Sequence, residues 1–330
     1  MADVAERVGV SAMTVSRAFK TPDRVADSLR ERIQAAARDL GYLPNRAASQ
    51  LASARSMTIA VLIPSLTNTV FIDTVAGIHQ VMHPEGYQIL IGVTGYSGDG
   101  EERLLETYLE YNPDGLLLTG LGHSDATWAR LRGLAIPTVH MMELSDRPDI
   151  YAVGLSQIEG GQAITRRLIE RGYRRIGFVA AQLDERTIRR GEGYRRAMQD
   201  AGLYDPAREL LSPEPSSIGF GAELLDRMLV QAPDCDALFF CNDDLAQGAI
   251  FRCRQRGIAV PDQLAIAGFN DLQASAWTVP ALTTVATPRY AIGREAASML
   301  LGLLKGRRPE RTCLDLGFTV MERETTGTKS

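Results

Sequence analysis

The chain opens with MADVAERVGVSAMTVSRAFK, residues 1–20, in which two short apolar helical faces are separated by a glycine. Val4 and Val8 are spaced i, i+4, as on the buried side of a helix. Gly9 interrupts that helix, and Ser11 is the kind of residue that caps the start of the next one. The stretch therefore predicts two short helices joined by a tight glycine turn.

The following residues extend this pattern to three helices. Residues 12–19 are predicted as the second helix, with Val15 on its buried side. A third helix is predicted over residues 28–40, with Ser28 as its cap and Leu40 facing inward. Two helices joined by a glycine turn and packed on a third form a helix-turn-helix unit. The sequence therefore predicts an all-α helix-turn-helix head.

The pattern changes from Thr58 onward, where short apolar runs alternate with amphipathic stretches. Continuous apolar strands that alternate with helices predict doubly wound parallel sheets with helices on both faces. The segment is too long for one sheet, so we expect an α/β core of two lobes. The apolar runs are 59–63, 89–93, 115–118, 138–141, 152–155, 176–180, 237–241 and 264–269.

Domain limits follow from these patterns. We expect a helix-turn-helix domain over 1–44, a linker over 45–56 and a core over 57–330. Within the core, a first lobe is predicted over about 57–155 plus 285–318. A second lobe is predicted over about 156–284 plus 319–330, because the strand and helix pattern changes phase near residue 155 and returns late in the chain.

The charge of the chain is unevenly distributed. Its 330 residues include 36 Lys and Arg against 40 Asp and Glu, a formal net charge of −4. Residues 1–57 hold nine basic and six acidic residues, a balance of +3, so the remainder carries −7. A basic head on an acidic body suits a DNA-binding module.

Several classes of protein are disfavoured. The amino terminus lacks a secretory signal, no apolar run is long enough to span a membrane, and the four cysteines lack CxxC spacing, so we expect a cytoplasmic protein. His79 and His83 lack the HExxH context of a metal site. No phosphate-binding loop or GxSxG motif is present, and residues 122–126 only approach the latter. We predict no catalytic residue, metal or cofactor.

The outward face of the second helix is suited to DNA. In a recognition helix, Arg17 has the length and geometry to bind guanine O6 and N7 in the major groove. Ala12 and Met13 offer apolar contact to thymine methyl groups. Hydroxyl groups at the start of the helix suit phosphate oxygens, which set the position without reading the sequence. These hydroxyl groups belong to Ser11, Thr14 and Ser16.

The exact string in the head resembles one family. DVA at 3–5, GVS at 9–11 and TVSR at 14–17, followed by GY at 41–42 and PN at 44–45, resemble the lactose/galactose repressor family. The match runs through the whole head and, more loosely, the whole chain. It implies a homodimer or tetramer that binds a pseudo-palindromic double-stranded operator under the control of a small ligand.

The resemblance also gives the linker a function. The equivalent segment of the family folds into a hinge helix on operator DNA, and a leucine of that helix opens the minor groove. The matching residues here are Asn45, Ala48 and Leu51. Inserting an apolar wedge costs base unstacking, which a bent duplex with more protein contacts offsets.

The core is similar to periplasmic sugar-binding proteins, in which two lobes enclose a ligand at the carboxyl ends of strands. Asn270 stands where the family commonly has aspartate, a change that favours an acidic ligand. Phe71 is expected to cover the apolar face of a sugar, and Tyr96 is assigned to the core or an interface. The predicted effector-binding residues are Ser65, Asn68, Phe71, Glu143, Arg186, Arg190, Asn242 and Asn270.

The segments SLTN at 65–68, LDERT at 183–187 and NDDLA at 242–246 resemble the gluconate operon repressor branch. This implies gluconate, 2-ketogluconate or a phosphorylated relative as effector. We therefore expect a ligand-controlled repressor of sugar-acid catabolism genes that releases its operator on effector binding. The alternatives are a soluble sugar-binding module and a regulator of neutral-sugar metabolism whose ligand is a corepressor.

Overall fold

The structure, a computed structural model, describes residues 1–42 and 55–328, apart from the side chain of Lys20. The chain divides into two compact units, one ending at Ser56 and one beginning at Met57. The first unit is helical and the second is an α/β body.

The head contains helices α1 (Ala2–Val8), α2 (Ala12–Lys20) and α3 (Asp27–Asp39). Val4, Val15 and Ile33, one from each helix, are fully buried in a common apolar cluster. Gly9 has a φ of 73°, which allows the sharp turn between α1 and α2. The predicted helix-turn-helix arrangement is confirmed.

The ends of α3 differ from the prediction. The helix starts at Asp27 with Ala26 as its N-cap, which has no side chain able to form a capping hydrogen bond, so the prediction of Ser28 as cap was wrong. Leu40 is 43% exposed, so its predicted burial was also wrong. The reason is that the helix ends at Asp39, which takes Leu40 off the repeating buried face.

The first sheet of the body has six parallel strands in the order β11-β5-β4-β3-β1-β2. These strands are β1 (Thr58–Ile63), β2 (Gln88–Val93), β3 (Gly115–Thr119), β4 (Thr138–Met141), β5 (Tyr151–Gly154) and β11 (Cys313–Asp315). The helices connected to them are α4 (Val70–Met82), α5 (Gly98–Glu110), α6 (Asp125–Gly133) and α11 (Arg289–Leu304).

The second sheet has four parallel strands in the order β7-β6-β8-β9. These strands are β6 (Ile176–Ala181), β7 (Glu209–Ser212), β8 (Ala237–Phe240) and β9 (Ala265–Ala267). The helices around them are α7 (Gln157–Glu170), α8 (Glu185–Asp200), α9 (Ile218–Gln231) and α10 (Asp243–Arg256). A short antiparallel pair, β10 (Thr284–Ala286) and β12 (Thr319–Met321), lies late in the chain.

Strand β1 shows why the apolar runs are continuous. Ile59 and Val61 belong to one buried cluster, whereas Ala60 and Leu62 belong to a second cluster that includes Leu105 of α5. Because neighbouring side chains point to opposite faces of a strand, both faces of this sheet are covered by helices. The predicted fold class, a helical head with a two-lobed α/β core, is confirmed.

Close packing fixes α4 against α11. A methyl group on Gly293 would lie 2.0 Å from the carbonyl oxygen of Thr74, so only glycine fits between the two helices. Since α11 and β11 follow the whole second sheet in sequence, the chain returns late to complete the first sheet. None of the helices in residues 1–42 and 55–328 is long and apolar enough to cross a membrane.

Candidate functional site

The structure exposes most of the head residues predicted to meet DNA. Ala12 and Arg17 are exposed, and Met13 is 62% exposed. Ser11 caps α2 by accepting a hydrogen bond from the Thr14 amide at 3.2 Å, and the two hydroxyl oxygens are 3.0 Å apart. Ser16 is half-buried. The predicted hinge contacts Asn45, Ala48 and Leu51 lie outside the described residues.

The largest cluster of predicted ligand contacts lies at the carboxyl ends of strands from both sheets. Here a cavity of about 360 Å³, open solvent included, contains two arginines and is called the arginine cavity. Five of the eight predicted residues line it, namely Asn68, Arg186, Arg190, Asn242 and Asn270. Its other lining residues are Val70, Tyr96, Gln182, Asp184, Thr187 and Ser216.

Arg190 is the most constrained cation of the cavity. Its Nε donates to Gln157 Oε1 at 2.8 Å, and its Nη1 donates to the carbonyl of Cys241 at 2.7 Å. Its guanidinium lies 4.0 Å from the centre of the Phe269 ring. Burial, together with the positive charge of Arg186, lowers the pKa of Arg190 to about 10. Asp184 and Asp243 therefore offset the burial of the Arg190 charge only in part.

Arg186 is paired where Arg190 is not. It forms an ion pair with Asp184 Oδ2, and its guanidinium lies 5.3 Å from the centre of the Phe71 ring. Burial has the largest single effect and lowers the pKa of Arg186, but Asp184, Tyr96 and Glu143 together outweigh it, so the net shift is upward. Asp184 also caps α8 by accepting from the Thr187 amide at 2.9 Å. The lining of the arginine cavity thus holds two arginines against one aspartate.

The asparagines of the cavity have structural partners as well. Asn242 caps α10, and its Nδ2 donates to Ser216 Oγ at 2.8 Å. Asn270 has a φ of 115°, and its backbone oxygen accepts from Arg289 Nη1. No hydrogen bond of the Asn270 side chain occurs within the described residues. Its amide is therefore available to a ligand.

Glu143 lies in a second cavity of about 530 Å³, called the acid-lined cavity because Glu101, Glu143 and Glu185 line it. Glu143 is 1% exposed, and its Oε2 accepts from the Leu121 amide at 2.8 Å. Its Oε1 has no hydrogen-bond partner among the described residues. Burial, with Glu185 nearby, raises the pKa of Glu143. Tyr96, Asp184 and Arg186 line both this cavity and the arginine cavity.

The remaining predicted residues lie elsewhere. Ser65 lines a wider opening of about 1270 Å³, called the outer cavity, together with Asn68 and Tyr96. Phe71 is 1% exposed and lines none of these three cavities. Its ring packs against the Arg186 guanidinium, so Phe71 is not placed to cover a sugar in this structure.

Two histidines, His123 and His140, contact residues that line the acid-lined cavity, Glu101 and Gly120. His123 Nδ1 lies 2.6 Å from Glu101 Oε1, and His123 Nε2 lies 3.1 Å from His140 Nδ1. Since a carbonyl can only accept, His140 Nδ1 donates to the carbonyl of Gly120 at 3.1 Å. Burial, followed by the charge of His123, lowers the pKa of His140 to about 3.

The low pKa of His140 predicts a loss of stability in acid. His140 of the unfolded chain takes up a proton near pH 6.5, whereas His140 of the folded chain stays neutral down to about pH 3. Its contribution to the free energy of unfolding is therefore full above pH 6.5 and decreases as the pH falls. His140→Asn retains a donor for Gly120 and does not titrate. We expect its free energy of unfolding to fall roughly 1.5–2 kcal/mol less than that of the wild type between pH 6.5 and 5.

This pH dependence is measured by urea denaturation at several pH values. His79→Asn, which changes an exposed histidine on α4, is the control and should keep the wild-type slope. Equal slopes for the wild type and His140→Asn would contradict the burial of a neutral His140.

Six residues that line the arginine cavity were not among the predicted effector-binding residues: Val70, Tyr96, Gln182, Asp184, Thr187 and Ser216. The assignment of Tyr96 to the core was wrong, because the residue is half-buried and lines all three cavities. Its position directly after Gly95 and strand β2 was the available signal. No group of His, Cys, Asp or Glu in the described part of the chain could hold a metal ion.

Comparisons with known proteins agree with this architecture. The head matches the model of bacterial regulatory proteins, lacI family, over residues 1–45, and residues 165–326 match a periplasmic binding protein-like domain. The HTH-type transcriptional regulator GntR of Pseudomonas aeruginosa is 48% identical over 324 residues, covering 98% of this chain and 94% of that protein. The chain belongs to the LacI family.

Solved structures of LacI-family and related regulators share the fold. A transcription regulator GntR from Chromobacterium violaceum is 53% identical, with a TM-score of 0.80 over 82% of this chain and 99% of that one. A LacI-family regulator from Silicibacter pomeroyi is 35% identical, with a TM-score of 0.89 over 99% of this chain and 98% of that one. This LacI-family protein is therefore a DNA-binding transcriptional regulator and not an enzyme.

Proposed function

We propose that this regulator represses sugar-acid catabolism genes and releases its operator when a sugar acid such as gluconate or 2-ketogluconate binds the cleft. The observation that carries the proposal is the charge of the arginine cavity, whose lining holds Arg186 and Arg190 against one carboxylate, that of Asp184. Glu143 and Asp243 act on these arginines from outside that lining. A carboxylate would supply the missing negative charge and accept charge-assisted hydrogen bonds.

The adjoining acid-lined cavity supports a polyhydroxy ligand. Oε1 of Glu143 is a buried acceptor that lies 3.6 Å from Arg189 Nε but accepts no hydrogen bond among the described residues, and a hydroxyl group would supply one. A ligand with a carboxylate at one end and hydroxyl groups along its chain matches both cavities. The acid-lined cavity alone would favour a neutral sugar, so neutral sugars belong in the test.

The head supports sequence-specific binding. Exposed Arg17, Met13 and Ala12 on α2 are available to base edges, while Ser11, Thr14 and Ser16 would contact phosphates. A homodimer in the cytoplasm would place two copies of α2 in successive major grooves of a pseudo-palindrome. Asn45, Ala48 and Leu51 would form hinge contacts in the minor groove.

The proposed switch couples the two binding events. A ligand bound between the two lobes would close the cleft between them. This closure would shift the first lobes of the two subunits, so that the linkers no longer pair on DNA. Because coupling free energy is reciprocal, an effector that weakens operator binding must itself bind more weakly to the operator complex.

The proposal is tested by a thermal-shift screen of the purified full chain against sugars and sugar acids. We expect gluconate or 2-ketogluconate to raise the unfolding temperature more than glucose or other neutral hexoses, because binding to the folded state alone is stabilising. The best acid should then release an operator found by selection from random oligonucleotides. A neutral hexose that stabilises more than every acid would contradict the proposal.

A further inference from the structure

We infer that Tyr96 donates its hydroxyl hydrogen to the carboxylate of the bound ligand, opposite Arg186 and Arg190, and so determines the preference for acids. The inference deepens the proposed function and rests on it. Tyr96 follows the first sheet, whereas both arginines lie on α8 after the second sheet, so a ligand held by all three would connect the two lobes.

The hydrogen-bond pattern leaves this hydroxyl free to donate. Asn68 Nδ2 donates to Tyr96 Oη at 3.1 Å. An amide nitrogen has no acceptor capacity, so the tyrosine oxygen is the acceptor in this bond and its own hydrogen is unused. Within residues 1–42 and 55–328, no acceptor for that hydrogen is found.

Asn68 is itself held in place, which fixes the direction of its amide. Its Oδ1 accepts from the Val70 backbone N–H at 3.1 Å, and its own backbone N–H donates to Ser65 Oγ at 3.2 Å. With Oδ1 engaged by the backbone, Nδ2 is oriented toward Tyr96. The tyrosine oxygen is therefore positioned before any ligand arrives, which reduces the entropy that binding must overcome.

The backbone at Tyr96 is in an uncommon conformation. Its φ is 59°, in the left-handed region that non-glycine residues rarely adopt. Gln182 and Asn270, which follow strands of the second sheet and line the same cavity, also have positive φ values of 53° and 115°. Such conformations are held by the surrounding structure and cluster at binding sites. Three of them around one cavity indicate that these turns are shaped to present groups to a ligand.

The electrostatic surroundings match a donor to an anion. Burial raises the pKa of Tyr96, although the positive charge of Arg186 opposes this effect. The phenol thus keeps its hydrogen at neutral pH, where it can donate. A carboxylate in the arginine cavity would receive hydrogen bonds from the arginine side and from the Tyr96 side together, and a neutral hydroxyl would gain less from the same donors.

The test compares binding of gluconate and of glucitol, its neutral polyol counterpart of equal chain length, by titration calorimetry on the full chain. Tyr96→Phe keeps the aromatic ring and requires the same backbone conformation, and it removes only the hydroxyl group. We expect it to weaken gluconate binding about 10- to 100-fold and glucitol binding much less. Operator affinity without ligand should stay at the wild-type value.

Tyr108→Phe is the matched control. Tyr108 lies on α5, its hydroxyl donates to the Ile91 carbonyl at 2.7 Å, and it lines none of the three cavities. Loss of the Tyr108 hydroxyl should leave gluconate binding unchanged. Equal gluconate affinity in the wild type and Tyr96→Phe would overturn the inference but leave the proposed function standing. A wild-type protein that binds no sugar acid would overturn both.

Discussion

Arg17→Ala is expected to remove most of the preference for operator over random DNA while leaving ligand binding intact. Arg17 is exposed on α2, and no hydrogen bond to its guanidinium occurs within the described head, so the side chain is available to a guanine edge. A lost bidentate base contact costs about 1–3 kcal/mol, or roughly 5- to 150-fold, at each half-site. A dimer has two copies of Arg17 and would lose this base contact at both half-sites.

The measurement is competition binding of an operator against random duplex at one fixed salt concentration, because nonspecific affinity depends strongly on salt. Arg38→Ala is the control, since Arg38 is also exposed but lies on α3. It should weaken binding to all sequences alike or not at all. An unchanged operator preference in Arg17→Ala would rule out base reading by this residue.

Arg190→Ala is expected to abolish the stabilisation that a sugar acid gives to the wild type. The guanidinium is buried, and its Nη2 donates to no acceptor within the described residues, whereas Nε and Nη1 donate to Gln157 and Cys241. Loss of charge-assisted hydrogen bonds in a desolvated cavity weakens ligand binding by at least about 1.5–3 kcal/mol, or roughly 10- to 150-fold. Operator affinity without ligand should remain.

Thermal shifts are measured relative to each variant's own ligand-free unfolding temperature, because the loss of two internal hydrogen bonds lowers stability by itself. Arg196→Ala is the control. Arg196 lies on the same helix but pairs with Glu192 on the solvent side. If Arg190→Ala keeps the full shift with gluconate, the ligand does not bind in the arginine cavity.

Local periodicity was sufficient to predict the fold class, the three helices of the head and eight strands of the core, but it did not predict the edge strands β7 and β11. The spacing of Val4, Val15 and Ile33 reflects burial that each helix imposes on its own face. The apolar run of β1 similarly reflects a strand covered on both sides. Errors arose at helix ends, as with Ser28 and Leu40, where one residue of difference in the boundary changes which side chain is buried.

The candidate site could be predicted in part because side chains that follow parallel strands gather at one edge of each sheet. Arg186 and Arg190 were predicted in this way, with the family resemblance, and both line one cavity. The sequence could not distinguish which of the two aromatic rings, Tyr96 or Phe71, lines a cavity, since each follows a strand of the first sheet. The Phe71 ring lies against Arg186, which follows the second sheet, whereas the Tyr96 hydroxyl accepts from Asn68, and neither contact has a local sequence signal.

By itself, the sequence determined the three-helix head, the alternation of strands and helices, and the family of the chain, because helices and strands follow from local periodicity and the family from short motifs that the sequence displays directly. Only the tertiary structure decided that Phe71 lies beneath Arg186, that Tyr96 enters the cleft, and that two arginines share a cavity with a single aspartate. The physical reason is that charge balance and access to a cavity depend on groups brought together from both sheets, whose separation in the chain carries no local pattern.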